Sequence, residues 1–138
     1  VFNASGEMLL QQRAISKYHS GGLFTNTCCS HPRPHEDISD AANRRLLEEM
    51  GMRCALQEIF SFEYKADLDH DLTEWELDHV FIGKCDSTPV INPLEVACFE
   101  YVTIDWLLKD LVSRPNRYTA WFKASVDKVI EAQRDAWK

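Results

Sequence analysis

The stretch SHPRPHEDISDAANRRLLEEMGM occupies residues 30–52 and carries the most specific signal in this chain. Apolar side chains recur near helical spacing between Glu36 and Met50, which predicts an α-helix over that range. Gly51 follows directly and is a natural helix end, because glycine readily adopts the left-handed backbone conformation that closes a helix. The periodic apolar positions are Ile38, Ala41, Ala42, Leu46 and Met50.

The charged residues of this helix admit two interpretations. The carboxylates of Glu36, Glu48 and Glu49 could face a divalent cation that bridges a diphosphate, since Mg²⁺ prefers oxygen ligands and shares them with phosphates. Alternatively, Arg44 and Arg45 each stand one turn before a glutamate and form ordinary ion pairs on a solvated face. The charges by themselves favour the second interpretation.

The segment before the helix, Thr25–Pro32, contains two adjacent cysteines and a histidine. Adjacent cysteines are more often small buried side chains than catalytic groups. A thiol becomes reactive where a neighbouring cation or a helix N-terminus lowers its pKa. His31 and a basic helix follow closely here, so Cys29 is a candidate catalytic group.

The flanking segments predict a mixed α/β domain. Residues 1–12 read as a hairpin with an Asn/Ser/Gly turn, and Glu74–Lys84 alternates in polarity as a strand does. The order of hairpin, helix, strands and two C-terminal helices indicates an α+β fold rather than a doubly wound one. The further predicted elements are strands at Ile59–Lys65 and Phe99–Val102, a loop at Asp67–Asp71, and helices from Thr103 or Asp105 to Val112 and from Thr119 onward.

Composition limits the class of protein. The 138 residues have the size of one domain, and a hydrophobic content of 45% is ordinary for a globular protein. The net charge of −7 argues against nucleic acid as the main partner. No apolar run is long enough to span a bilayer. Five irregularly spaced cysteines indicate free thiols in a reducing compartment, and we expect a cytoplasmic monomer that binds no membrane.

Residues 30–52 resemble the Nudix box, whose pattern is G-x5-E-x7-R-E-U-x-E-E-x-G-U. Ser30 stands in place of the first glycine, and Arg45 stands in place of the glutamate that follows the arginine. Nudix hydrolases use that glutamate cluster to bind metal ions and to drive water onto a pyrophosphate. Because Arg45 removes a ligand and adds a cation, the resemblance implies a Nudix-type mixed sheet with flanking helices and diphosphate recognition more firmly than hydrolysis.

The string TNTCCSHP at Thr25–Pro32 resembles the cysteine motif of type 1 isopentenyl-diphosphate isomerases, a family with the Nudix fold. In that motif the second cysteine is catalytic, and this position is Cys29. The resemblance extends over nearly the whole chain. Five motifs occur in the same order, namely QRAISK at 12–17, TNTCCSHP at 25–32, FEYK at 62–65, EWE at 74–76 and TAWF at 119–122. It implies a reaction of isoprenoid biosynthesis that moves the double bond of isopentenyl diphosphate and yields dimethylallyl diphosphate.

The element Glu74-Trp75-Glu76 places two carboxylates on one face of a strand, because residues i and i+2 point the same way. By the resemblance, Glu76 and Cys29 transfer protons on opposite sides of the substrate, with Tyr64 assisting near Glu76. Trp121 is then the aromatic face that stabilises the carbocation intermediate through a cation–π interaction. In the alternative interpretation, Trp121 is simply a core residue of the last helix.

The resemblance also implies two metal ions and a cationic pocket. Mg²⁺ would bridge Glu49, the backbone carbonyl of Cys29 and the diphosphate. A second ion, which could be Zn²⁺, Mn²⁺ or Mg²⁺, would bind at His31, Glu74 and Glu76. The cations expected to contact the diphosphate are Arg13, Lys17 and Arg45, although surface charge is the plainer interpretation of the first two.

The family takes two further histidine ligands and a lysine from a segment that would precede Val1. We therefore expect that this chain lacks an N-terminal segment, binds metal weakly and is inactive by itself, whereas an extended chain is active. Equal, fast isomer conversion by both forms would contradict this expectation. The alternatives are a Nudix hydrolase of another diphosphate and a non-catalytic Nudix-fold binding module. The histidines that do not match the family ligands are His19, His35, His70 and His79.

Overall fold

The computed structural model describes all residues from Val1 to Lys138. Five strands and three α-helices follow one another, with a short 3₁₀ turn before the last helix. None of the helices is both long and apolar enough to cross a membrane. In chain order the elements are β1 (Met8–Arg13), β2 (Phe24–Thr25), α1 (Ile38–Met50), β3 (Gln57–Asp67), β4 (Thr73–Ile82), β5 (Val96–Val102), α2 (Ile104–Ser113), the 3₁₀ turn (Pro115–Arg117) and α3 (Ala120–Ala136).

Two antiparallel sheets form the framework. β1 lies in the middle of a three-stranded sheet in the order β2-β1-β5, and β3 pairs with β4 in a long hairpin. Phe2 joins the two sheets, because it bridges antiparallel to Met8 of β1 and parallel to Lys84 just after β4. The architecture is therefore mixed α+β, as predicted, with the strands divided between two sheets.

The predicted elements are confirmed in type, with shifted ends. The helix predicted over Glu36–Met50 begins at Ile38, because the side chain of Asp37 accepts a hydrogen bond from the Ser39 backbone N–H and caps the helix. The last strand begins at Val96, three residues before its predicted start. β2 escapes the sequence analysis, since two residues carry no periodicity.

The end of α1 requires glycine. Gly51 has a φ of 63°, and its N–H donates to the Leu47 carbonyl. A Cβ at this position would lie 2.6 Å from the carbonyl oxygen of Val90, which is closer than packed atoms approach. Val90 in turn donates its N–H to the Met50 carbonyl, so the loop before β5 is fastened to the end of α1.

Apolar side chains on both faces of β1 divide the core in two. Successive side chains of a strand point to opposite faces, so Leu9 and Leu10 pack against different elements although both are fully buried. One cluster joins Leu10 to buried side chains of α3, namely Phe122, Val126 and Ile130. The other cluster joins Leu9 to α1 and its flanks through Leu46, Met50, Met52 and Val96.

Candidate active site

The two departures from the Nudix pattern contact each other. Arg45 Nε donates a hydrogen bond of 2.6 Å to Ser30 Oγ. The remaining guanidinium nitrogens donate to Glu48 at 2.7 Å, to Glu49 at 2.9 Å and to Glu95 at 3.2 Å. Ser30, which replaces the glycine of the pattern, therefore helps to hold Arg45, which replaces the glutamate. Arg45 has four side-chain partners in all.

Arg44 forms the ion pair with Glu48 that the helical spacing predicts, and it also binds Glu36. Its guanidinium donates to Glu36 at 2.8 and 2.9 Å and to Glu48 at 3.0 Å. The hydrogen bond from Arg44 lowers the pKa of Glu36 to about 2. Glu36 and Glu48 therefore form ion pairs with Arg44, as the second of the two interpretations of the helix charges predicts.

Glu49 is the buried acid of α1. Its side chain is 3% exposed. It accepts hydrogen bonds from Gln11 Nε2 at 3.3 Å, from Cys28 Sγ at 3.4 Å and from Arg45 Nη2 at 2.9 Å. Glu36 and Glu48 pair with Arg44, whereas Glu49 is buried and contacts the cysteine segment through Cys28.

Two threonines hold the cysteine segment between β1 and α3. Thr27 Oγ1 donates to the Leu9 carbonyl at 2.6 Å, and Thr25 Oγ1 lies 2.8 Å from Thr119 Oγ1. Thr119 is the N-cap residue of α3, two positions before Trp121. The same contacts that place the cysteines therefore also place the first turn of α3.

The two cysteines have different surroundings. Cys28 Sγ donates to Glu49 and packs beside the Leu9 cluster. Burial raises the pKa of Cys29 to about 12, and the charges of Asp78 and Glu76 on β4 add to the rise. Cys29 is therefore a protonated thiol at neutral pH that lies near carboxyl groups of β4.

Three carboxyl groups, of Glu74, Glu76 and Asp78, share one face of β4. Glu76 Oε2 lies 2.8 Å from His31 Nε2, and Glu74 Oε2 lies 3.6 Å from His19 Nε2. The sequence analysis missed Asp78 and His19. Asp78 follows Glu76 by two residues, so the two-residue period of the strand predicts it on the same face. No local signal in the sequence points to His19.

Crowding shifts the pKa values of these carboxyl groups. Burial raises the pKa of Glu74 to about 8, together with its hydrogen bond to Glu76. Burial and the charge of Glu76 raise the pKa of Asp78 to about 6. Burial also opposes ionisation of Glu76, but hydrogen bonds from Glu74 and His31 hold the pKa of Glu76 below its usual range. At neutral pH this face therefore carries both an ionised base and a protonated acid.

Glu74→Gln is expected to stabilise the metal-free chain at pH 8. The pKa of Glu74 rises from 4.5 in the unfolded state to about 8 in the folded state, so its contribution to stability is complete below pH 4.5 and is lost as the pH rises through 8. Glutamine does not ionise and escapes this loss. After allowance for solvent screening, we expect a gain of roughly 1 kcal/mol at pH 8, or about 3 °C in Tm.

Thermal melts in EDTA at pH 5 and pH 8 measure this gain. Glu131→Gln, an exposed position on α3, is the control and should leave Tm unchanged at both pH values. A Glu74→Gln chain that melts below the wild type at pH 8, or equally above it at both pH values, would show that carboxylate repulsion does not act here.

Tyr64 completes the carboxylate face from the neighbouring strand. It lies directly opposite Glu76 in the β3–β4 register, so the two side chains share one face of the hairpin. Tyr64 is 5% exposed, and its hydroxyl has no hydrogen-bond partner. Burial raises the pKa of Tyr64 above its usual range. A buried hydroxyl without a partner costs stability, so a water molecule or ligand that paired with it would stabilise this face.

Trp121 forms an aromatic wall at the start of α3. It is 5% exposed, and its Nε1 donates to Asn26 Oδ1 at 3.2 Å. The guanidinium of Arg13 lies 5.1 Å from the indole centroid, and His19 packs edge-on at 5.8 Å. Trp121 is therefore buried, as the plainer interpretation holds, and it also faces a cation and lines a cavity.

Two of the three cations predicted to contact a diphosphate are joined by a carboxylate that the sequence analysis did not single out. Lys17 Nζ lies 2.5 Å from Glu95 Oε2, and Arg45 Nη2 lies 3.2 Å from the same oxygen. Arg13 donates through Nη2 to the His19 carbonyl at 3.1 Å, while its buried Nε has no partner. Arg13 thus keeps a buried donor for which a phosphate oxygen would be a suitable acceptor.

One cavity of about 350 Å³ connects the candidate proton-transfer groups. This volume lies within the range of small-ligand sites. Cys29, His31, Glu76 and Trp121 line it together, and 18 of its 28 lining residues are hydrophobic. The predicted site residues that do not line it are Arg13, Lys17, Glu49, Tyr64 and Glu74.

The predicted metal ligands are partly assembled. His31 contacts Glu76, and Glu74 is hydrogen-bonded to Glu76 on the same strand face. However, no group of three or more His, Cys, Asp and Glu side chains is arranged to hold a metal ion. The donor set still suits a divalent cation, because the carboxylates repel one another and a cation would relieve that repulsion. Glu49 is separate and binds Arg45.

Solved structures of Nudix proteins share this architecture. The MutT protein from Methanosarcina mazei aligns with a TM-score of 0.74 at 19% identity, over 99% of this chain and 90% of that one. The NUDIX domain of Shewanella oneidensis NrtR, complexed with ADP ribose, aligns with a TM-score of 0.67 at 13% identity, over 96% of this chain and 78% of that one. At such identities the likeness shows the fold alone.

Sequence relatives are much more similar. A NUDIX domain family model matches residues 1–122. The isopentenyl-diphosphate Delta-isomerase of Pectobacterium atrosepticum is 50% identical over 129 residues, which cover 94% of this chain and 72% of that protein. Isopentenyl-diphosphate Delta-isomerase 1 of Aromatoleum aromaticum is 49% identical over 135 residues, covering 98% of this chain and 76% of that protein. With its cysteine segment and carboxylate strand facing one cavity, this chain belongs to the Nudix family and, within it, to the isopentenyl-diphosphate Delta-isomerases.

Proposed function

We propose that this protein converts isopentenyl diphosphate into dimethylallyl diphosphate by protonation and deprotonation of the alkene. The observation that carries the proposal is the position of Cys29 and Glu76 in one apolar cavity beside the indole of Trp121. The names of relatives about half identical to this chain support the choice of substrate.

The reaction adds one proton and removes another. Protonation of the terminal carbon uses the alkene electron pair to form a C–H bond and leaves a tertiary cation at the branched carbon. Loss of a proton from the next methylene returns an electron pair, which forms the new double bond. Cys29 and Glu76 are the two transfer groups, and each acts as acid in one direction of the reversible reaction and as base in the other.

The cavity protects the cation. A tertiary carbocation reacts with water, so the apolar lining serves the reaction by excluding solvent. The indole face of Trp121 supplies electron density for the cation. Tyr64 lies opposite Glu76 with a free buried hydroxyl and assists proton transfer on that side.

The charged groups around the cavity would orient the diphosphate end of the substrate. We place a divalent cation, which could be Zn²⁺, Mn²⁺ or Mg²⁺, at His31, Glu74 and Glu76. When bound, it would neutralise the repelling carboxylates and orient Glu76. Glu49 would share a Mg²⁺ ion with the diphosphate. The cations placed against the diphosphate are Arg13, Lys17 and Arg45.

Replacing Trp121 is expected to lower kcat, and an aliphatic replacement should lower it more than an aromatic one. A desolvated cation–π contact is worth about 2 kcal/mol, which corresponds to roughly 30-fold in rate. We expect Trp121→Leu to lower kcat about 30-fold. Trp121→Phe keeps an aromatic face, so its loss of kcat should be several-fold smaller than that of the leucine variant. Initial rates by NMR measure the effect, and Tm of each variant verifies the fold. A leucine variant that turns over as fast as the phenylalanine variant would exclude a role for the aromatic face.

An NMR time course with isopentenyl diphosphate in heavy water tests the proposed function. Deuterium uptake with a shifted alkene signal is expected. Release of phosphate would instead assign a Nudix hydrolase, which Arg45 disfavours because it places a cation among Glu48, Glu49 and Glu95. Binding without any change in the substrate, by a form of the protein that holds metal, would assign a binding module.

A further inference from the structure

We propose that Glu95 is a positioning residue that holds Lys17 and Arg45 together as one clamp for the diphosphate group. The inference rests on the proposed function for the identity of the ligand. One carboxylate oxygen, Glu95 Oε2, accepts from Lys17 Nζ at 2.5 Å and from Arg45 Nη2 at 3.2 Å. The two cations come from the segment after β1 and from α1, so Glu95 is what brings them to one point.

The backbone around Glu95 is fixed to both of those elements. Its N–H donates to the Asn92 carbonyl at 3.0 Å, and its own carbonyl accepts from the Ala14 N–H at 3.1 Å. Asn92 in turn donates its N–H to the carbonyl of Glu49, on the last turn of α1, at 2.9 Å. The carboxylate therefore projects from a turn that is tied to the neighbours of both cations, as a positioning role requires.

Lys17 depends on this contact more than Arg45 does. Glu95 is the single side-chain partner of Lys17, whose segment neighbours Ile15 and Tyr18 are 85% and 80% exposed. The Lys17 side chain is itself 24% exposed. A long side chain without an ion-pair partner samples several rotamers, and Glu95 removes that freedom before a ligand arrives. Arg45 is also bound by Ser30, Glu48 and Glu49 and would keep its place without Glu95.

Two roles for Glu95 predict opposite effects on anion affinity. A mere counter-ion competes with phosphate for the cations, so its removal would strengthen binding. A positioning residue prepares the cations, so its removal weakens binding. The contact with Lys17 and Arg45 outweighs burial and lowers the pKa of Glu95, which is consistent with an ionised carboxylate in the ligand-free protein.

Calorimetric titration with inorganic pyrophosphate separates the two roles. Glu95→Ala is expected to raise Kd about 10-fold, the cost of ordering one long side chain upon binding. Glu95→Gln keeps the length and an acceptor oxygen and should raise Kd less than about 3-fold. In the catalytically active form, KM for isopentenyl diphosphate should follow Kd while kcat stays within about 2-fold, because the proton-transfer groups are untouched. An alanine variant that binds pyrophosphate as tightly as the wild type, or more tightly, would overturn the proposal.

Glu100→Ala is the matched control, since Glu100 also lies on the β5 side and pairs with an arginine, Arg117, at 3.0 Å outside the clamp. It should leave Kd unchanged. The ¹⁵N signal of the Lys17 ammonium in the ligand-free protein gives a second readout, expected to be lost in Glu95→Ala and kept in Glu100→Ala. An unchanged signal in Glu95→Ala, or a wild type that does not bind pyrophosphate, would overturn the clamp. Pyrophosphate binding without isomerase activity, by a form of the protein that holds metal, would count against the proposed function alone.

Discussion

Cys29→Ala is expected to lower kcat for isomerisation about 10³-fold in the catalytically active form of the protein, within the range lost when a general acid or base is removed. The thiol is protonated at neutral pH, because burial and the charges of Asp78 and Glu76 raise its pKa to about 12. Alanine cannot exchange a proton, and it fits in the space of the half-buried cysteine. The rate of deuterium incorporation from heavy water, followed by NMR, measures the loss, and unchanged Tm verifies the fold.

Cys28→Ala is the matched control for this prediction. Cys28 is the neighbouring thiol, but it donates to Glu49 and packs beside the Leu9 cluster. Its removal takes away one weak hydrogen bond, so kcat should fall by less than about 5-fold. Equal losses in the two variants, or a Cys29→Ala protein that keeps a tenth of the activity, would remove Cys29 from the proton-transfer pair.

Glu76→Gln is expected to lower kcat by a similar factor, about 10³-fold, with a smaller change in KM. The amide has the shape of the carboxyl group and still reaches His31, which lies 2.8 Å away in the wild type. It cannot take up or release a proton at neutral pH. Since Glu76 is also placed at a metal ion, Mn²⁺ affinity is measured alongside by electron paramagnetic resonance. A low kcat with retained Mn²⁺ binding assigns proton transfer, whereas parallel loss of both assigns a ligand role.

Glu58→Gln controls for the loss of a Glu–His contact on the same hairpin. Glu58 Oε1 lies 2.6 Å from His79 Nδ1, and Glu58 itself does not line the cavity. Its kcat should remain within about 2-fold of the wild type, as expected for an exposed pair. If Glu58→Gln were as damaging as Glu76→Gln, the loss would reflect the hairpin rather than the site.

Short-range patterns predicted the secondary-structure elements and the motifs that carry the candidate site residues. The α1 helix follows from its apolar spacing and from Gly51, and its start differs by two residues because the cap at Asp37 decides it. The Glu74–Glu76 face follows from the two-residue period of a strand. The third carboxyl group on that face, Asp78, follows from the same two-residue period.

The position of Glu95 had no signal in the sequence, because its partner Lys17 is 78 residues away. The same holds for the contact of Arg45 with Ser30, where two departures from a family pattern look unrelated until the fold brings them together. Contacts of this kind depend on how the segments pack, and neither periodicity nor residue type specifies that.

The sequence by itself determined the fold class and the family, and it supplied Cys29 and Glu76 as the candidate paired groups, since local periodicity and ordered motifs are properties of the chain. Only the tertiary structure decided their acidity and their surroundings. It placed the half-buried thiol near the carboxyl groups of β4, placed Trp121 in the same cavity and bound two candidate phosphate cations to Glu95. Desolvation and charge proximity act through space, so the acidity of Cys29 and the arrangement of the cations follow from packing and not from residue order.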